Sequence, residues 1–166
     1  MASTKARHRA LAIWNLLYAH RDKVHYPPGD LRTEWIHDVS TLDELDALLA
    51  RPQGITVDCS QVVQLVCHVA GWKSPSGSYA TDGYTGTMLR GPCRQYRQAH
   101  FAGLMSIVVF GLYPGRHTAF VVEPDPLHGN PLLGSHGQES DPRRIRLRDE
   151  QAGQPQPATF LSVIRL

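Results

Sequence analysis

The chain has 166 residues, the size of one domain, with 42% apolar residues, 19% charged residues and a formal net charge of +2. That balance excludes a highly charged disordered segment, and with no like-charge run longer than Arg143-Arg144 it gives no phosphate-binding stripe, so a nucleic-acid partner is not expected. No stretch approaches the roughly 20 apolar residues that span a bilayer, and three cysteines, an odd and low number, do not make a disulfide framework.

In chain order, Lys5, Arg7 and Arg9 precede the apolar run 10–19, as they would in a signal peptide. Asn15 interrupts the run, however, and His20-Arg21-Asp22-Lys23 stands where a small-residue cleavage site would follow. Residues 6–24 are therefore expected to form an amphipathic helix, with Leu11, Trp14, Leu17 and Tyr18 at helical spacing and Tyr26-Pro27-Pro28-Gly29 as the stop. A second helix is expected over 41–50, capped by Thr41 with Glu44 three residues on.

Ile55-Thr56-Val57 reads as a brief extended run, and Asp58-Cys59-Ser60 supplies helix-start residue types before the apolar face of Val62, Val63, Leu65, Val66 and Val69. Cys59 is thus expected at a helix N-terminus. Residues 73–92, rich in Ser, Gly, Thr and Tyr, read as a surface loop with a short helix near 85–89, and 94–99 as another short helix. From there the pattern becomes that of strands, over 106–110, 117–122, 132–136, 145–147 and 159–166, with 151–157 polar and turn-like. Helices first and consecutive short strands after predict a single α+β domain over 1–166, an antiparallel sheet with the helices to one side.

A cysteine at a helix N-terminus meets unpaired backbone N–H groups and the positive end of the helix dipole, both of which favour an anionic sulfur. A histidine brought from elsewhere completes the arrangement for acyl transfer. The alternative on spacing alone is a small buried cysteine, which is the expectation for Cys67 in mid-helix. Of the nine histidines, His117 and His136 stand at strand ends, where two rings in one sheet can lie side by side. Neither Cys-x-x-Cys nor His-Glu-x-x-His occurs, so no metal site and no cofactor are expected.

Three segments, ITVDCSQVVQLVCHVAGW, SIVVFGLYPGRHTAFVVEPD and LLGSHGQESDP, occur in the order found in the NlpC-type cysteine peptidases of cell-wall hydrolysis, and the last resembles the form seen in phage endolysins. The resemblance covers roughly residues 10–166. It implies a papain-like α+β fold, N-terminal helices packed on an antiparallel β-sheet, with Cys59 as nucleophile, His117 as general base and His136 as the third residue that orients the imidazole. It further implies that Asp58 and Ser60 flank the substrate, and that Tyr26 takes the place of the family tyrosine near the nucleophile. The chain departs from the pattern at Gln61, where a glycine is usual, and in the long interval from His117 to His136, for which Asp141 and Glu139 stand as alternatives.

The expected function is then an endolysin-type peptidase of phage origin that cuts the stem or cross-link peptide of bacterial peptidoglycan through a Cys acyl-enzyme. An amidase or another papain-like acyl transferase or deamidase, and a catalytically inactive wall-binding module, are the alternatives. The expected setting is synthesis in the host cytoplasm without a signal peptide and action on the wall. Peptidoglycan is the expected partner, with no membrane insertion, and with further wall-binding domains if the chain belongs to a longer lysin.

Overall fold

The computed structural model describes residues 3–28, 38–79, 83–137 and 140–162. Helix α1 (Thr4–Ala19) buries Ala10, Ile13, Trp14 and Leu17 at helical spacing. It ends earlier than the expected position 24, and a 3₁₀ turn (Arg21–Lys23) leads into the short strand β1 (Val24–His25). Strand β2 (Ile55–Thr56) pairs with β1 in parallel, Val24 opposite Ile55. The approach to β2 needs a glycine: Gly54 has φ +59°, and a Cβ there would run into the Lys23 carbonyl. Between these strands lies α2 (Leu42–Leu49), closed at its start by a capping box of Thr41 and Glu44.

Helix α3 (Cys59–Val69) is buried along nearly its whole length, and α4 (Thr85–Arg90) follows. Then comes a six-stranded sheet of β3 (Arg94–Tyr96), β4 (Ile107–Phe110), β5 (His117–Glu123), β6 (Leu132–Gly137), β7 (Ser140–Arg146) and β8 (Ala158–Ser162). The order is β3-β8-β4-β5-β6-β7, with every pair antiparallel. Helix α5 (Leu147–Gly153) stands between β7 and β8.

Two differences from the sequence reading matter. Residues 94–99, expected to be helical, begin with β3, because Arg94–Tyr96 complete the edge beside β8 and the Tyr96 ring stacks on Phe160, 5.8 Å between centroids. The stretch after β7, expected to be turn-like from 151, carries α5.

Alternation along the strands splits the interior in two. Ile107, Val109, Phe120, Val122 and Leu161 join α1, α2 and α3 in the larger cluster. Val108, Phe110, Ala119, Val121, Leu133, Ala158 and Phe160 form a smaller cluster on the other face with Leu147 of α5. The helices therefore do not all lie to one side of the sheet. Among the described residues no helix is long and apolar enough to cross a membrane.

Candidate active site

Asp58 starts α3 by a reciprocal cap. Its carboxylate Oδ1 accepts from the Gln61 backbone N–H at 2.7 Å, and Gln61 Oε1 accepts from the Asp58 backbone N–H at 2.9 Å. The Ser60 hydroxyl donates to the same Oδ1 at 2.6 Å. Gln61, where a glycine is usual in the resembling motif, is thus turned back into the cap and buried. Ser60, expected to flank a substrate, is also buried and bound into this cap, whereas Asp58 is half-buried. The cap makes Cys59 the first residue of the helix, where its N–H and that of Ser60 have no intrahelical acceptor.

His117 opens β5, and its ring lies within hydrogen-bonding reach of the Cys59 thiol. Its Nε2 is 2.8 Å from Ser135 Oγ and 3.0 Å from Glu150 Oε1, and one ring face stacks on Phe110. The Ser135 hydroxyl donates to Glu150 Oε1 at 2.9 Å, so its oxygen is an acceptor for the ring. Burial works against the charged form of Glu150, but the hydrogen bonds from His117 and Ser135 and the charges of His117 and Arg143 outweigh it and hold the carboxyl below its usual range. With acceptors alone facing Nε2, that nitrogen carries its proton, and Nδ1 is the nitrogen left for the thiol. Burial also disfavours a charged His117 ring. Its hydrogen bonds to Cys59 and Glu150 and their negative charges prevail, and its pKa is pushed up to about 9.

The third position therefore differs from the sequence reading. Glu150 and Ser135, not His136, lie on the His117 imidazole. Adjacent residues of a strand face opposite sides, so Ser135 points to the smaller core while His136 points to the α3 side. There His136 Nε2–H donates to the Val57 carbonyl at 2.9 Å, and its ring lies 5.2 Å from that of Tyr26. Burial is the main cause holding His136 below the usual histidine range, helped by the charge of His117 and opposed by the Val57 and His25 carbonyls and Asp141. Asp141 is exposed, and Glu139 lies outside the described residues.

Tyr26 follows β1, and its hydroxyl is 4.0 Å from Cys59 Sγ. Burial, then the negative charges of Cys59 and Asp58, raise its phenol well above the ordinary value, so it stands by the sulfur as a protonated donor. Arg143 Nη2 bonds Glu150 Oε2 at 2.9 Å. Glu150, Ser135 and Arg143 escaped the sequence reading; the only signal for Ser135 was its place beside His136. Cys67 is fully buried, and burial pushes its thiol up, as befits an inert group. Among the described residues no cluster of His, Cys, Asp and Glu is arranged to hold a metal. In comparisons with known proteins, the chain matches no family model, no curated protein and no solved structure.

Proposed function

We propose that this chain is a cysteine peptidase of papain-like architecture that hydrolyses the peptide part of bacterial peptidoglycan. The observation that carries the chemistry is the buried line Cys59–His117–Glu150, with the sulfur at a capped helix start. The motif resemblance to NlpC-type wall peptidases and phage endolysins supplies the substrate class.

In the first step His117 Nδ1 holds the proton of Cys59, and the sulfur attacks the scissile carbonyl carbon. The developing oxyanion takes hydrogen bonds from the Cys59 N–H and the Tyr26 hydroxyl. Collapse breaks the C–N bond, and His117 passes its proton to the leaving amine. A water then gives a proton to His117 and its oxygen to the thioester carbon. Breakage of the C–S bond releases the carboxylate and returns Cys59. Glu150 holds the Nε2–H tautomer and stabilises the imidazolium throughout. Asp58, half-buried, caps the helix that begins with Cys59.

The test is digestion of purified walls by the parent and by Cys59→Ala, with thermal unfolding of both. The expected result is new amine and carboxyl ends on muropeptides with the parent, and none with a mutant that melts like the parent. Full activity in Cys59→Ala overturns the reading, as does an intact muropeptide profile alongside a modified protein partner, which is the mark of the acyl-transfer alternative.

A further inference from the structure

Ser135 and Arg143 are directly opposed on β6 and β7, and both reach Glu150 from the sheet. Ser135 Oγ binds Oε1 and Arg143 Nη2 binds Oε2, each at 2.9 Å. The Glu150 side chain is 1% exposed and that of Arg143 is 44% exposed. Glu150 comes from a seven-residue helix without a side-chain cap, and a carboxylate's last torsion has broad wells, so its own element does little to fix the plane of its oxygens. The two strands supply that constraint.

We propose that Arg143 is a positioning residue for the cysteine-peptidase chemistry, holding Glu150 Oε2 so that Oε1 stays on His117 Nε2. It acts through Glu150 and His117 and touches neither the sulfur nor the substrate. A guanidinium suits the task because its donors are rigidly fixed and its charge cannot be lost. The next residue provides an internal comparison. Alternation turns Arg144 to the other face, where it donates to Asn15 Oδ1 at 2.9 Å and lies over the Tyr18 ring at 4.9 Å.

The inference rests on the peptidase reading, and its test has one arm that needs no substrate. In histidine-labelled protein, NMR reads solvent exchange of the His117 Nε2–H, assigned by its loss in His117→Gln. Arg143→Met, which keeps the apolar stem and removes the donors, is expected to exchange about tenfold faster or more. Arg143→Lys is expected to fall between Arg143→Met and the parent, and Arg144→Met to match the parent. With walls as substrate, Arg143→Met is expected to lose about 10-fold to about 100-fold in kcat with KM nearly unchanged. Parent-like exchange in Arg143→Met overturns the proposal, and so does an equal effect of Arg144→Met. If the parent leaves walls intact, the peptidase reading fails, while the exchange arm still decides the role of Arg143.

Discussion

His117 and His136 sit one strand apart and are driven in opposite directions, the first towards the cation by Cys59 and Glu150, the second towards the neutral ring by burial. The sign for stability follows. His117 has a folded pKa raised to about 9 against about 6.5 in the unfolded chain, so its contribution is complete below about pH 6.5 and is lost as pH rises through about 9. The difference in melting temperature between the parent and His117→Gln should therefore shrink across that window, and a difference that stays constant would count against the assigned contacts. Removing the sulfur in Cys59→Ala should lower the His117 midpoint by NMR, since a hydrogen bond and a charge that favour the cation are gone. For Glu150 the sign is reversed: its contribution is present above the ordinary carboxyl range and is lost as pH falls through its depressed value. Glu150→Gln should keep the fold and lose about 100-fold or more in kcat, measured on walls at neutral pH. His136→Phe should instead lower stability by about 1–3 kcal/mol in chemical denaturation, because the buried Val57 carbonyl loses its donor.

Helix α3 holds Cys59 in place only as well as its first turn is built. Asp58→Ala removes the acceptor for both Gln61 N–H and Ser60 Oγ, and should cost about 1 kcal/mol in denaturant unfolding. Packing of α1 on the sheet is as demanding: a Cβ at Gly134 would meet the Trp14 indole, and Gly134→Ala should destabilise by about 1–3 kcal/mol. The same elements mark how much the residues alone disclose. Helices α2 and α3 announce themselves through caps and apolar spacing, and β4 and β5 through short runs between turn signals, so the place of Cys59 at a helix start and of His117 at a strand start was legible. Helix α5 was not, because LRDEQAG buries only Leu147 and Glu150 and shows no apolar stripe. Strand β3 was missed because Arg-Gln-Tyr owes its conformation to β8 across the sheet. The choice between Ser135 and His136 needs the strand's facing, and a polar pair leaves that open in a linear sequence.

At the scale of the molecule, β8 is not an edge. It lies between β3 and β4, pairing Phe160 with both Tyr96 and Val108. A chain ending at residue 153 would keep Cys59, His117 and Glu150 yet leave β3 without its neighbour and remove Phe160 and Leu161 from the two cores. Such a chain should show no cooperative melting transition by circular dichroism; a sharp transition would mean that the sheet closes without its inserted strand. The late insertion of β8 also sets a clock during synthesis. Position 59 leaves the ribosome roughly a hundred residues before the strand that locks the sheet, so a nascent chain bears the start of α3 long before β3 and β4 gain their shared neighbour. The pairing of β4 with β5 and with β3's neighbour β8 is therefore complete only once residues 158–162 have been made.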